Sequence, residues 1–198
     1  AGMNGKKEPG RLSMTEQDII TLISDDEWMM HVLRLVRSLE LPDWCVCAGF
    51  VRTKVWDYLH GLDSPTPLSD VDVVYFDPNH TSETTEKEYE KILSEWDSSI
   101  PWSVKNQARM HTKNGHAPYV STSDALANFT EVCTAVGAYL DSDDQVKLIA
   151  PYGISDLVNL IVRPTPFFAT TDKREVFERR VDSKRWRLTW YRLKIIRF

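Results

Sequence analysis

The sequence predicts one α/β or α+β domain, a mixed set of strands flanked by helices. Two observations lead there. Short apolar runs of strand length, such as 44–50 and 71–76, are interspersed with longer stretches whose apolar residues recur at helical spacing. The connections between them are short and polar, and no internal repeat or low-complexity tract interrupts them. The chain is also long enough: 198 residues, 42% hydrophobic and 27% charged, suffice for one domain with a real core.

Each element has a local reason. Residues 1–12 are polar, Gly-rich and aperiodic, which predicts disorder or a cloning remnant, with a single domain over 13–198. Residues 13–16 (Ser-Met-Thr-Glu) fit a capping box, and Ile19, Ile20 and Ile23 follow at helical spacing. Residues 24–27 (Ser-Asp-Asp-Glu) fit a second box, opening a more amphipathic helix on Trp28, Val32, Leu35, Val36 and Leu39. The stretch 44–50 reads as a buried strand ending at Gly49, and 51–61 as a helix with Gly61 at its C-terminal end. A Pro-containing loop leads to a strand over 70–76, and Pro78 with Asn79 makes a turn. Residues 83–96 form a charged helix with Tyr89, Ile92 and Trp96 as its buried stripe. A strand over 102–110 presents Trp102, Val104, Asn106 and Ala108 on one face. A short helix around 123–129, strands over 134–140 and 146–150, and a mixed segment 154–164 complete the body. The tail 172–195 reads as mostly helix, with the alternation of Trp186, Leu188 and Trp190 leaving its end open.

Charge divides the chain. The net charge is −5, yet residues 172–198 carry +6 and residues 1–171 carry −11. The basic tail either docks on the acidic body or meets phosphate. Its interleaved arginines, lysines and aromatics suit packing with the cations outward, and equally suit single-stranded nucleic acid, which would make the protein an RNA-end binder. No apolar run approaches the ~20 residues that span a bilayer, so no membrane partner is expected. Cys45, Cys47 and Cys133 lack a CxxC spacing. They read as buried thiols of a reducing compartment, and the expected location is cytoplasmic.

The chemistry concentrates at 67–77. Asp70 and Asp72 stand at the entrance of an otherwise apolar strand. Acids are depleted in strands and costly to bury unpaired. Two residues apart on a strand, they share a face with Cα atoms roughly 6–7 Å apart. Such a pair suits a hard cation, Mg²⁺ or Mn²⁺, whose remaining ligands come from a triphosphate. Upstream, Gly49 ends a strand and opens a helix, where free amides and the helix dipole favour phosphate. Arg52 adds a charged donor in that first turn. Lys105 and Arg109 flank Asn106 to Ala108 and are candidates to touch the triphosphate or to solvate a sheet face.

These residues resemble a known family. Ala48-Gly49, Val51-Arg52, Leu59 and Gly61, then Asp70 and Asp72, resemble the Gly-Gly-x-Val-Arg-Asp, Leu-Leu-Gly and Asp-x-Asp pattern of the head domain of CCA-adding enzymes and poly(A) polymerases. These belong to the nucleotidyltransferase superfamily that includes DNA polymerase beta. Gly153, Asp156, Leu157 and Arg163 are similar to a later head-domain run. Over about 28–195 the chain resembles still more closely a small bacterial nucleotidyltransferase-like family, with Asn106 to His111 matching its NQARMH block.

The resemblance implies a nucleotidyltransferase fold with a mixed sheet of about five strands. It implies an enzyme that moves a nucleoside monophosphate from an NTP to a hydroxyl acceptor. In it Asp70 and Asp72 hold Mg²⁺ and are catalytic, while Gly49, Phe50 and Arg52, with Lys105 and Arg109, bind the nucleotide. The acceptor, whether an RNA end, a protein or a small molecule, is not specified. The departures matter. Thr53 replaces the Asp of CCA-adding enzymes, and 125–137 has no counterpart of their Arg-Arg-Asp run. The superfamily's third carboxylate has three candidates, Glu131, Asp124 and Asp156. A catalytically degenerate nucleotide- or partner-binding member is the alternative reading.

Overall fold

A computed structural model describes residues 13–170 and 172–197. The region 1–12 expected to be disordered lies outside the described residues. Among the described residues the sheet has five strands in the order β3-β2-β1-β4-β5. These are β1 (Cys45–Cys47), β2 (Val71–Tyr75), β3 (Trp102–Asn106), β4 (Gly137–Leu140) and β5 (Val146–Ile149). Within this sheet only β2 and β3 run parallel; its other pairs are antiparallel. Helix α4 (Glu83–Trp96) makes the crossover that a parallel pair requires. The mixed α+β sheet expected from the sequence is present.

The sheet has two unlike faces. Val46, Val71, Val73, Tyr75, Val104, Ala138 and Leu140 point into the main core. There they meet α1 (Glu16–Ser24), α2 (Glu27–Arg37), α3 (Gly49–Leu59) and α4. Cys45, Cys47 and Val74 point to the other face, where they pack a smaller cluster with Leu126 and Ala135. Leu126 comes from the one-and-a-half-turn α5 (Thr122–Leu126). Gly137 is needed on this face: a Cβ there would stand 2.5 Å from Cys45 Sγ. The three cysteines are free and buried, as the alternation of Cys45 and Cys47 predicts for that pair.

Several boundaries move for visible reasons. The helix caps are Thr15, in a reciprocal box with Asp18, and Asp26, instead of Ser13 and Ser24. Strand β1 is shorter than expected because α3 already begins at Gly49. Strand β3 stops at Asn106, and the chain turns into a 3-10 segment over Met110–Asn114. On α2 the buried residues are Met29, Met30, Val32, Leu33 and Val36, whereas Trp28 is exposed. On α4 Leu93 is buried and Trp96 is exposed. Glu86 of α4 is also buried, because it accepts the Asn106 N–H and the guanidinium of Arg109.

The tail docks. Helix α6 (Ser155–Val158) and β6 (Ile161–Val162) lead to α7 (Arg174–Lys184), and β7 (Lys194–Ile195) returns parallel to β6. Phe177 and Val181 of α7 are buried. Trp186 and Trp190 flank the fully buried Trp56 of α3, with ring centroids 5.3 and 5.1 Å away. The Trp190 indole donates to Asp57, which also takes the backbone and hydroxyl of Thr66. The Arg192 guanidinium donates to the Leu59 carbonyl, and His60 at the end of α3 accepts the Arg192 N–H. Most of the tail's indole surface is therefore spent on the body, while Leu188 and Tyr191 stay exposed. No helix of the described residues is long and apolar enough to cross a membrane.

Candidate functional site

Asp72 lies in β2 opposite Cys47 of β1 and Ser103 of β3. Cross-strand partners share a face, so Asp72 belongs to the smaller-cluster face with Cys47, Val74 and Lys105. Asp70, exposed, stands at the strand entrance. Burial pushes the Asp72 carboxyl above its ordinary range, and the charge of Asp70 adds to the effect. Arg52, Arg180 and Lys184 pull it back. Two like charges with one partly desolvated are what a bound cation relieves.

Over this face opens a pocket of about 270 Å³. Asp72 and Lys105 form part of its floor, and Gln107, Lys113, Asn128 and Arg180 stand around it. The 3-10 segment over 110–114 and the end of α5 overhang it because β3 stops early.

The N-terminus of α3 lies beside Cys47. Its cap residue, Ala48, has φ 57° and ψ −125°, a conformation that favours glycine. No side chain caps the helix. Gly49 and Phe50 follow in the first turn, the Phe50 ring buried in the core. A Cβ on Gly49 would stand 3.3 Å from Arg52 Nη2.

Arg52 is buried behind the pocket wall. Its Nη1 donates to Thr134 Oγ1 at 2.9 Å, and its guanidinium stacks 4.6 Å from the Trp186 ring and 5.3 Å from that of Trp56. Nε has no hydrogen-bond partner. Thr134 donates in turn to Glu131 Oε1 at 2.8 Å, and Arg180 Nε donates to Glu131 Oε2 at 2.8 Å. The chain Arg52, Thr134, Glu131, Arg180 thus links α3 to α7 beneath the pocket.

The structure brings Asp70, Asp72, Lys105 and the α3 N-terminus to one side of the sheet. It does not bring Arg109 there: Glu86 grips that guanidinium through two bonds, and Glu83 lies 3.2 Å away. The three candidate third acids are all engaged elsewhere. Glu131 is fully buried between Thr134 and Arg180. Asp124 accepts the Val120 N–H, and Asp156 pairs with Arg163 instead of capping a helix. Among the described residues no group of three His, Cys, Asp or Glu side chains could hold a metal. Magnesium and manganese ions are commonly held by one or two carboxylates plus substrate phosphates, and Asp70 and Asp72, close enough for Asp70 to raise the Asp72 carboxyl, are the two acids at the entrance of β2.

Sequence reasoning missed Arg180, Thr134 and Lys113 as pocket residues and Glu86 and Asp57 as buried acids. The available signal was weak. An acid on a charged helix, or an arginine in a basic tail, reads as solvated until the packing partner is known.

The comparisons agree with this architecture. The family model described as Nucleotidyltransferase matches residues 34–195. A solved NMR structure, described as revealing a CCA-adding enzyme head domain, is 34% identical, with TM-score 0.82 over 93% of this chain and 97% of that one. The Thermotoga maritima CCA-adding enzyme complexed with tRNA matches at TM-score 0.57 and 16% identity, over 90% of this chain and 42% of that one. A CCA-adding enzyme complexed with CTP matches at TM-score 0.56 and 15% identity, over 90% and 43%. The chain thus spans less than half the length of these larger enzymes, and the likeness to them is one of fold. No curated protein matches. The chain belongs to the nucleotidyltransferase family. Its fold is that of a CCA-adding enzyme head domain, as the motifs implied.

Proposed function

We propose that this protein is a divalent-metal-dependent nucleotidyltransferase that transfers a nucleoside monophosphate from an NTP to a hydroxyl acceptor. The observation that carries the reading is Asp72 in the pocket lining, with Asp70 at the entrance of the same strand, beside an uncapped helix N-terminus. Asp70 and Asp72 would hold the metal, which would neutralise the triphosphate and activate the hydroxyl. The backbone amides of Gly49 and Phe50 receive phosphate oxygens. Lys105 contributes a cation from the floor. Arg52 acts through space from behind Thr134, and Arg109 acts by fixing the end of β3 against Glu86. The acceptor oxygen bonds to the α-phosphorus as the bond to pyrophosphate breaks. With the candidate third acids engaged elsewhere, the hydroxyl proton leaves to water.

That engagement also favours the second reading, a member that binds NTP without turnover. One experiment separates the two. NTPs are titrated with and without Mg²⁺, and labelled-NTP incorporation is followed for the wild type and for Asp70→Asn with Asp72→Asn. A Mg²⁺-dependent rise in melting temperature and incorporation, both lost in the double variant, are expected. Equal activity of the two proteins would refute the metal assignment. Binding without incorporation into any acceptor tried would support the second reading.

A further inference from the structure

The pocket beside Asp72 has its own set of cations, and one of them arrives on the C-terminal helix. Phe177 and Val181 anchor α7 in the core, and Arg180 lies between them in sequence with its side chain at the pocket. Its guanidinium is not free to wander. Glu131, fully buried, takes its Nε at 2.8 Å, and Trp186 lies 5.7 Å from Cζ on another side. A single Nε contact leaves the terminal Nη groups available. Lys105 projects from β3 and Lys113 from the 3-10 segment, and among the described residues neither forms an ion pair. Three cations therefore converge on a pocket whose one lining acid is Asp72. Arg52, the phosphate-binding candidate of the sequence, does not line this pocket and is spent on Thr134 and two indoles.

We propose that Arg180, with Lys105 and Lys113, forms the polyphosphate-binding site of this protein, so that the docked C-terminal helix completes the nucleotide pocket. The inference rests on the nucleotidyl-transfer reading for its ligand, the triphosphate of an NTP. Its physical basis is independent of metal. Guanidinium and ammonium groups held in a partly desolvated pocket bind phosphate oxygens by charge-assisted hydrogen bonds. The site also accounts for the arginine-free stretch 125–137: Glu131 and Thr134 of that stretch position an arginine supplied from elsewhere in the chain.

The test uses the full chain and inorganic tripolyphosphate in metal-free, low-salt buffer, followed by calorimetry. Removing Arg180 alone would strand the buried Glu131, so the informative variant is Glu131→Gln with Arg180→Gln. It is expected to bind about tenfold more weakly, the loss of one charge-assisted contact. Lys113→Gln, at an exposed position, is expected to bind several-fold more weakly with an unchanged melting temperature. Should the double variant fail to fold, amide resonances of 177–184 in the wild type decide: they shift on titration if α7 meets the phosphates. No binding by the wild type overturns the proposal, as does equal binding by folded variants or resonances of α7 that stay still. Because no metal is present, a failure of Asp70 and Asp72 to hold Mg²⁺ would leave this result intact and bear on the transfer reading alone.

Discussion

Asp72 carries its charge where the fold disfavours it. Burial and Asp70 raise its carboxyl above the ordinary carboxylate value, so the folded state holds that proton more tightly than the unfolded chain does. The stability this confers is present at low pH and lost as pH rises through the raised value. At pH 7 the ionised side chain is a cost. Asp72→Asn should therefore raise the metal-free melting temperature at pH 7. The gain should shrink towards zero as the pH falls to about 4. Thermal melts of both proteins at the two pH values check this, and a gain that does not vary with pH would contradict it. The acid pair was legible because acids are out of place in an apolar strand. Glu86 and Glu131 were not, since the cation that lets each be buried, Arg109 for Glu86 and Arg180 for Glu131, lies 23 or 49 residues away in sequence.

The turn from β1 into α3 is the element on which the phosphate-binding amides depend. Ala48 at that turn adopts a backbone conformation that the family pattern assigns to glycine. A Cβ there costs about 1–3 kcal/mol of strain, more than glycine loses through its freer unfolded state. Ala48→Gly should therefore stabilise the protein by about 1–2 kcal/mol, read as a higher urea midpoint at unchanged slope. A lower midpoint would show that the turn is unstrained. Element identities were largely legible. Helix α4 occupies the predicted 83–96, and β2 the interior of the predicted 70–76. The misjudged ends share a cause. Residues 107–110 and 134–136 read as strand in the sequence, but the chain turns there: the Gln107 N–H bonds to the Tyr75 carbonyl, and the Val132 N–H bonds to the Arg163 carbonyl and fixes the 3-10 segment that ends at Thr134.

At the scale of the whole molecule, the tail is part of the packed body. Trp186 is 7% exposed, lies against Trp56, and carries Arg52 and Arg180 at its ring. Trp186→Ala should cost about 3–5 kcal/mol, the range for a large buried aromatic. Chemical denaturation measures it, and a loss below ~1 kcal/mol would mean that the tail rests on the surface. The charge asymmetry of the sequence allowed two readings, docking or phosphate binding. Docking is what α7 does, and the same docking carries Arg180 to the pocket.

The sequence by itself determined most of the elements in their order and the acid pair at the strand entrance. These follow from periodicity and from the cost of an acid in an apolar strand, which are local quantities. The tertiary structure alone decided that Arg52 is spent on Thr134 and two indoles and that Glu131 answers Arg180. It also decided that the pocket's arginine comes from α7. Apart from the helical neighbours Arg52 and Trp56, those are pairings between residues 49 to 134 positions apart, whose energies exist only once the chain has closed around them.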